Sequence, residues 1–179
     1  MPILRKAKHA DTVEINALIG RSARGLSTDD YSQAQIEAAL RGHFGVDTQL
    51  LADETYFVVE DGGRIVGCGG WSFRSTLFGG DAGPGRDSTA LDAATQAAKI
   101  RAFFVDPAHA RRGIASLLLD HCEQEARARG FTRVELMATL PGVKLYAARG
   151  YAGSAKQRFE IGSGEYIEFV PMRKSLATA

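Results

Sequence analysis

The segment from Val105 to Gly130 joins the end of an apolar run to a long helical pattern through a short polar turn. The turn reads Ala110-Arg111-Arg112-Gly113-Ile114-Ala115-Ser116, so small residues accompany two cationic side chains. The first turn of a helix has backbone N–H groups without intrahelical acceptors, at the positive end of the helix dipole. The sequence therefore predicts an anion site here, most naturally for a phosphate or pyrophosphate.

Each residue type in this turn suits that chemistry. Gly113 lets the backbone approach a ligand, and Ala115 keeps the next position small. Ser116 adds a hydroxyl donor, while Arg111 and Arg112 add positive charge. The alternative is a packed crossover helix with solvated arginines, because glycine-containing turns between strands and helices serve many folds.

Two other phosphate motifs are absent from the sequence. No glycine is followed by Lys-Ser or Lys-Thr, as a P-loop requires. The glycines at 79–85 lack both a directly preceding strand and the G-x-G-x-x-G register of a dinucleotide loop. We interpret residues 74–89 as a glycine-rich loop.

Composition limits the class of protein and its partners. The 179 residues carry 22 Lys and Arg against 21 Asp and Glu, a formal charge of +1, which predicts no nucleic-acid partner and no anionic membrane surface as partner. No apolar run approaches the roughly 20 residues that a membrane-spanning helix needs. We expect one domain over residues 1–179. Cys68 and Cys122 lie in apolar segments without a secretory leader, which predicts buried thiols in a cytoplasmic protein.

Periodicity and turn signals predict the order of the elements that position this turn. The predicted elements are a strand at 2–8, helices from Thr12 and Ser32, a β-hairpin from Thr55 turned at Asp61-Gly62-Gly63, a strand at 99–105, a helix from Ile114, a strand at 133–139, a short helix at 142–150, and a β pair turned at Gly162-Ser163-Gly164. A strand, helix and strand in the middle imply one parallel pair within an otherwise antiparallel sheet. The fold class is α/β (α+β), with six or seven strands and about four helices.

The apolar faces of two helices can also be read from their spacing. On the first helix we expect Val13, Ala17, Leu18 and Leu26 near one face. On the helix from Ile114 the predicted apolar stripe contains Ile114, Leu117, Leu118, Cys122 and Ala126, while Glu123 lies elsewhere.

Three motifs occur in a fixed order: "FFVDP" at 103–107, "ARRGIA" at 110–115 and "LYAARGY" at 145–151. Together they resemble the GCN5-related N-acetyltransferase (GNAT) superfamily. Its members have a strand ending in Val, a turn of pattern [QR]-x-x-G-x-[GA] that opens a helix, a second strand, and a short helix of pattern [FL]-Y-x-x-x-G-[FY]. The resemblance is strongest from Ile100 to Gly153, within a cofactor core at 99–153.

Two positions depart from the family pattern. Ala110 stands where members usually have Gln or Arg, although a backbone cradle needs no particular side chain there. The segment "TLPG" at 139–142 stands where many relatives place an Asn that meets the cofactor, and Pro141 cannot supply that amide. We assign no cofactor contact to this segment.

The resemblance implies acetyl-CoA as acyl donor, no metal, and an acyl-CoA N-acyltransferase fold. It implies that the pyrophosphate binds from Ala110 to Ser116 and that the pantetheine pairs like an added strand along Phe103, Phe104 and Val105. It also implies that the strands at 99–105 and 133–139 splay apart to open a wedge. A backbone N–H near Phe103 or Phe104 would then meet the oxyanion.

Tyr146 matches the family position of a tyrosine that protonates the departing thiolate. A thiol has a pKa near 8.5, so a positioned phenol can serve as general acid. The alternative is a core tyrosine whose hydroxyl bonds locally. Tyr151 is assigned to packing.

No general base can be named from the sequence. The candidates are Glu60, Asp106, His109, Glu135 and Glu168, each with surface solvation as its alternative, and Glu135 also with a salt bridge to Arg133 or Arg101. Relatives often deprotonate the amine through ordered water. Trp71 and Phe73 are candidates for an acceptor pocket, with core packing as their alternative.

Two functions from different classes remain open at this point. The first is an N-acetyltransferase that acts by direct attack in a ternary complex on a primary amine, of a small molecule or of a protein. The second is a non-catalytic CoA- or phosphate-binding module. A homodimer through an exposed sheet edge is a further prediction.

Overall fold

A computed structural model of the chain describes residues 1–176 and contains seven strands and five α-helices in that range. The strands are β1 (Ile3–Lys6), β2 (Tyr56–Asp61), β3 (Arg64–Ser72), β4 (Ala98–Val105), β5 (Arg133–Thr139), β6 (Gln157–Gly162) and β7 (Glu165–Ser175). The helices are α1 (Thr12–Leu26), α2 (Gln33–Leu40), α3 (Thr48–Ala52), α4 (Ile114–Ala128) and α5 (Val143–Ala148). The predicted order is confirmed, with α3 as an additional short helix.

All seven strands form one mixed sheet in the order β1-β2-β3-β4-β5-β7-β6. Every neighbouring pair is antiparallel except β4 and β5, which are parallel. Helix α4 is the crossover between these two strands, and a crossover of this length is what a parallel connection requires. The predicted fold class is confirmed.

Strands β4 and β5 separate soon after they begin. Their pairing is confined to Ala98 with Val134 and Lys99 with Glu135. Beyond Lys99 the edge of β4 that faces β5 has no strand partner among the described residues. The predicted splay of the parallel pair is therefore present, and it opens a cleft in the middle of the sheet.

Helices cover the sheet on both faces, and each face has its own apolar cluster. Alternate residues of β2 show the division, because Tyr56 and Val58 join the cluster beneath α1 and α2, whereas Phe57 and Val59 join the cluster beneath α4 and α5. The cleft between β4 and β5 thus connects two differently built faces of the sheet.

The buried face of α1 differs from the predicted one. Leu18 is buried as expected, but Val13 is 82% exposed, and Ala17 and Leu26 are also exposed. The helix instead buries Ile15 and Ile19. A helix of this composition offers two apolar stripes, and packing against β3 and β4 selects the one with the larger β-branched side chains.

The predicted stripe of α4 also needs two corrections. Leu117 is 44% exposed, while Leu119 is fully buried in its place. Glu123 is buried, and Tyr151 and Lys174 both donate hydrogen bonds to its carboxylate. A buried charge is tolerated when it is paired in this way.

Candidate active site

The turn before α4 presents a row of backbone N–H groups without acceptors. From Arg111 to Ser116 the structure gives these groups no hydrogen-bond acceptor within residues 1–176, and the first N–H to find one is that of Leu117, at 2.9 Å from the Gly113 carbonyl oxygen. Arg111 and Gly113 both have left-handed backbone conformations, with φ of 64° and 81°. Left-handed residues within a turn can point successive N–H groups into one concavity, which suits an anion.

Gly113 is required in this turn for its conformation. A Cβ at this position would meet no atom within 4 Å, so the surroundings leave open the space where a ligand would lie. The positive φ would nevertheless strain any residue with a side chain. Arg111 and Arg112 are both exposed, and neither forms an ion pair within the described part of the chain. Two cations are thus available beside the free N–H groups.

Close packing holds the first turn of α4 against the sheet. A Cβ at Gly67 of β3 would lie 2.4 Å from Cγ2 of Ile114, so only glycine allows this approach. On the other side, the Asp106 carboxylate accepts hydrogen bonds from the Ala108 N–H at 2.9 Å and from Arg21 at 3.0 Å. Asp106 therefore caps the short turn before Ala110 and is not free to act as a base.

Strand β4 carries a bulge next to the cleft. The register with β3 shifts between Cys68 and Gly70, and Ala102 has a φ of 56°, which strains a residue with a side chain. The Ala102 carbonyl turns away from the strand ladder and accepts hydrogen bonds from the Tyr56 hydroxyl at 3.3 Å and the Cys68 thiol at 3.7 Å. Burial raises the pKa of Cys68 to about 12, so this thiol stays protonated.

The bulge was missed at the sequence level, although a signal for it exists. Strand β3 contains "GCGG" at 67–70, and glycines inside a strand often mark a bulge or a close backbone approach. A Cβ at Gly69 would lie 2.8 Å from the ring of Phe103. Gly69 therefore makes room for the ring of Phe103 beside the bulge of β4.

The cleft between β4 and β5 forms a cavity that passes from one face of the sheet to the other. Tyr146 and Phe103 lie at one end, and Phe44 and Phe169 lie at the other. The complete lining is His43, Phe44, Gly45, Leu77, Phe78, Gly79, Gly80, Ile100, Arg101, Ala102, Phe103, Phe104, Leu136, Met137, Thr139, Tyr146 and Phe169. The predicted tyrosine and two of the three predicted pantetheine residues thus border one space.

Tyr146 is 8% exposed and lies against that space. Within residues 1–176 its hydroxyl makes no hydrogen bond. Burial raises the pKa of Tyr146 well above its ordinary value, so the phenol keeps its proton. Tyr151 differs, because its hydroxyl donates to Glu123 at 2.9 Å and its ring packs in the core. The prediction that Tyr151 serves packing is consistent with this arrangement.

The acidic candidates for a general base are occupied elsewhere. Glu135 pairs with Lys99, and not with Arg133 or Arg101. Glu60 accepts a hydrogen bond from Arg5 at 2.7 Å. Neither carboxylate borders the cavity.

The two remaining candidates, His109 and Glu168, also lie outside the cavity lining. His109 faces Asp106 and Asp61 at 3.6 Å and 3.7 Å, beside the turn before α4. Glu168 lies on β7 opposite Arg158 of β6. Neither side chain lines the cavity.

Trp71 and Phe73 belong to the core and not to an acceptor pocket. Trp71 is 1% exposed, and its indole N–H donates to Glu125 at 2.9 Å. Because β3 and β4 are antiparallel, Ser72 pairs with Lys99, at the closed end of the cleft. The aromatic residues at this end of β3 are therefore remote from the open half of β4.

A buried ion network holds the glycine-rich loop to the sheet. Arg101 of β4 donates to Asp47 at 2.7 Å and to the carbonyl oxygens of Gly79 at 2.6 Å and Thr76 at 3.1 Å. Arg86 of the loop donates to the other Asp47 oxygen at 2.8 Å. Sequence reasoning missed this network, because the three ionic residues are far apart in the chain and are joined only by the fold.

Tyr31 is another residue whose structural role the sequence did not indicate. Its hydroxyl donates to the Glu168 carbonyl oxygen at 2.6 Å and accepts from the Leu140 N–H at 2.9 Å. Tyr31 thereby ties the segment between α1 and α2 to β7 and to the end of β5. Burial is the main reason that the pKa of Tyr31 lies above its ordinary value, so this hydroxyl also remains protonated.

Comparison with protein-family models identifies the family of the chain. The model of the acetyltransferase (GNAT) family matches residues 22–151. The chain belongs to this family. Membership confirms the resemblance seen in the motifs and the prediction that this GNAT protein is an acyltransferase. No curated protein matches the chain at a significant level.

Solved structures with the same fold include three informative ones. A GCN5-related N-acetyltransferase from Rhodopseudomonas palustris is 23% identical with a TM-score of 0.71, covering 98% of this chain and 96% of that one. The PaiA N-acetyltransferase from Thermoplasma acidophilum, in complex with coenzyme A, is 15% identical with a TM-score of 0.65 over 98% and 99% of the two chains. An acetyltransferase from Salmonella typhimurium with its cofactor acetyl-CoA is 19% identical with a TM-score of 0.62 over 100% and 96%. At these identities the likeness shows a shared fold.

The described residues hold neither a metal-binding cluster nor a membrane-spanning helix. Residues 1–176 contain no group of three or more His, Cys, Asp or Glu side chains placed to hold a metal ion. Over the same range, every helix falls short of the length and apolar character needed to cross a bilayer.

Proposed function

We propose that this GNAT protein transfers an acetyl group from acetyl-CoA to a primary amine by direct attack in a ternary complex. One observation carries the proposal: a single cavity borders the bulge of β4, the phenol of Tyr146 and the opposite face of the sheet. Donor and acceptor can therefore reach the same point from opposite faces. Two structures of the same fold contain coenzyme A or acetyl-CoA, which supports the choice of donor.

The turn before α4 fits the pyrophosphate of the donor. The free N–H groups from Arg111 to Ser116 would hold the phosphate oxygens, with Arg111 and Arg112 supplying charge. Ala110 would contribute through its backbone alone. The edge of β4 along Phe103, Phe104 and Val105 that faces β5 has no strand partner among the described residues and would offer backbone groups to the amide-containing pantetheine arm. The Val105 N–H already donates to the Ser22 hydroxyl at 3.2 Å and is not among the free donors.

The acetyl carbonyl would lie at the bulge. A backbone N–H near Phe103 or Phe104 would donate to the carbonyl oxygen as negative charge develops on it. The strain at Ala102 reorients the backbone at this point, and the Tyr56 hydroxyl holds the reoriented carbonyl of Ala102 in place. A preorganised donor of this kind needs no rearrangement during the reaction.

Tyr146 would act as general acid toward the departing thiolate. It keeps its proton because it is buried, and its hydroxyl has no other acceptor within residues 1–176. Bound donor supplies the thioester; the amine nitrogen forms a bond to the carbonyl carbon, the C–S bond breaks, and Tyr146 donates a proton to sulfur. The nitrogen loses one proton, and Tyr146 regains one through solvent. General acid catalysis of this type is typically worth about 10²-fold to 10⁴-fold.

The acceptor can be a small molecule or a protein amino group. We propose a cytoplasmic location, because Cys68 and Cys122 are free, buried thiols, as expected in a reducing compartment. Homodimerisation through an exposed sheet edge stays a prediction, and β1 and β6 are the two edge strands.

Thermal unfolding and thiol release test the proposal together. Acetyl-CoA should raise the melting temperature, since a ligand that binds only the native state stabilises it. It should release thiol in the presence of suitable amines. Stabilisation without turnover by any amine would favour a non-catalytic CoA-binding module, and the absence of stabilisation would refute both functions.

A further inference from the structure

The cavity between β4 and β5 offers three titratable side chains, all within residues 1–176: His43, Arg101 and Tyr146. Arg101 is held by Asp47 in the buried network and remains a cation. Tyr146 keeps its proton because burial raises the pKa of the phenol. His43 is therefore the one described lining group that can accept a proton near neutral pH.

His43 lies in the segment between α2 and α3 and is 9% exposed. Its ring stacks on Phe78 with centroids 5.8 Å apart and an interplanar angle of 20°. Its backbone carbonyl accepts a hydrogen bond from the Gly80 N–H at 3.1 Å, which ties it to the glycine-rich loop. Two elements thus hold the imidazole at the wall of the cavity.

The Nδ1 atom of His43 is buried and has no hydrogen-bond partner within the described residues. Buried polar atoms are nearly always paired, and exceptions are frequent at functional sites. Burial lowers the pKa of His43 below its ordinary value of 6.5, and no charged neighbour contributes to the shift. The imidazole is therefore neutral at neutral pH, with a nitrogen lone pair available.

Apolar side chains line the cavity that His43 borders. Phe44, Phe78, Phe104 and Phe169 line it together with Met137. The described lining contains no carboxylate. An ammonium group that entered would lose its hydration without gaining a counter-ion, which is costly. An uncharged amine would avoid this cost.

We propose that His43 is the general base of the reaction and that the acceptor enters the cavity as an uncharged amine carried on an apolar body. The inference rests on the proposed acetyl transfer and names its base and acceptor class. As the amine nitrogen forms its bond to the carbonyl carbon, His43 takes the proton that the nitrogen loses. The C–S bond breaks, and Tyr146 gives a proton to sulfur. Both side chains then recover their initial protonation states through solvent, so one proton has moved from nitrogen to sulfur.

Two isomeric amines probe the acceptor class. 4-Methylaniline and benzylamine have the same formula and nearly the same shape, but only benzylamine is largely protonated at neutral pH. The KM for benzylamine should rise about tenfold for each unit by which the pH falls below the pKa of the amine, because only the uncharged fraction binds. The KM for 4-methylaniline should stay constant over that range. A KM for benzylamine that does not depend on pH would overturn the acceptor class.

His43→Gln tests the base, because glutamine is polar and of similar size but cannot take up the proton. We expect kcat to fall by about 10²-fold or more, with an unchanged KM for acetyl-CoA and loss of the acid limb of the kcat/KM profile for 4-methylaniline. His121→Gln is the matched control, since His121 also packs on a phenylalanine, Phe57, but lies outside the cavity lining. A His43→Gln enzyme with the rate and pH profile of the wild type would refute this role.

A nuclear magnetic resonance titration decides the matter independently of any acceptor. The chain has 4 histidines, so their ring nitrogens can be resolved in ¹⁵N-labelled protein saturated with CoA and assigned with the His43→Gln variant. We expect His43 to be neutral at about pH 7, with a pKa below 6.5. A charged ring at that pH would overturn the inference even if acetyl transfer is observed. If acetyl-CoA fails to stabilise the protein, the proposed function itself fails, and the inference fails with it.

Discussion

The ring of Phe103 meets the ring of Tyr146 edge to face, with centroids 6.4 Å apart and an interplanar angle of 72°. Phe103 lies on the bulged strand β4 and Tyr146 on α5, so the contact joins the two elements that flank the cleft. Aromatic pairs of this geometry contribute about 0.5–1.5 kcal/mol beyond the area that they bury. The phenol is therefore positioned through its ring, which leaves its hydroxyl free for a proton transfer.

Tyr146→Phe should lower kcat by about 10²-fold or more while leaving the stability of the fold unchanged. The hydroxyl has no hydrogen-bond partner within residues 1–176, so its removal breaks no internal bond. Steady-state thiol release and urea unfolding of the same preparation provide the measurements. A full rate in the variant would show that the thiolate is protonated in another way.

Tyr151→Phe is the complementary control for Tyr146→Phe. The Tyr151 hydroxyl donates to the buried carboxylate of Glu123, so its loss should lower the free energy of unfolding by about 1–3 kcal/mol. The rate per folded molecule should not change. A loss of activity that exceeds the loss of folded protein would place Tyr151 in the reaction.

Gly113→Ala should weaken acetyl-CoA binding and also destabilise the fold. The backbone at Gly113 has a φ of 81°, and placing a side chain in a left-handed conformation costs roughly 1–2 kcal/mol. Titration calorimetry with CoA, together with urea unfolding, separates the two effects.

Gly62→Ala provides the reference for the backbone cost at Gly113. Gly62 lies in the β2–β3 hairpin with a φ of 59°, and a Cβ there would also meet nothing within 4 Å. Its substitution should cost similar stability but leave CoA affinity unchanged. Equal CoA affinities in the two variants would argue against a cradle at the turn before α4.

Asp47→Ala should lower the free energy of unfolding by about 3–5 kcal/mol, because it leaves Arg101 as a buried cation without its counter-ion. It should also release the glycine-rich loop, which Arg86 ties to the same carboxylate. Urea unfolding and amide hydrogen exchange over 74–89 measure the two consequences. Glu37→Gln, which breaks an exposed pair with Arg24, should leave the free energy of unfolding nearly unchanged, because solvent screens that pair.

Stability should fall in acid partly through Arg5 and its two carboxylates. Hydrogen bonds from Arg5 hold the pKa values of Asp11 and Glu60 below their ordinary values. In the unfolded chain these groups titrate near 3.9 and 4.3, so their contribution is present above those values and is lost as the pH falls through the lower folded ones. Urea midpoints of the wild type and Arg5→Gln should therefore differ at about pH 7 and converge toward about pH 2. A difference that persists unchanged in acid would contradict this account.

Several local features could be predicted because their causes are local. Helix α2 begins beside Ser32, where the sequence predicts it, because the capping box of Ser32 and Gln35 lies within one turn of chain. The glycines at 62 and 63 allow the hairpin between β2 and β3. Helix α4 begins at Ile114 because the glycine before it, Gly113, adopts the left-handed conformation of the preceding turn.

Features that depend on distant partners were not predictable in this way. The predicted buried face of α1 is wrong because its sequence permits two apolar stripes. Only packing against the sheet decides that Ile15 is buried and Val13 is exposed. Trp71 is a candidate for the acceptor pocket in the sequence, but the strand register places it away from the open half of β4. His43 gave no signal, since an isolated histidine after a helix is unremarkable until its neighbours are known.

The sequence by itself determined the family, the order of the elements, the turn before α4 and the position of Tyr146, because motifs and turns depend on residues close together in the chain. The tertiary structure alone decided what meets across the cleft. His43, Arg101 and Tyr146 line one cavity. Glu135 pairs with Lys99, and Asp47 is buried between two arginines. These contacts join residues of separate elements. The burial and the pKa of a side chain depend on such neighbours and cannot be read from a local sequence pattern.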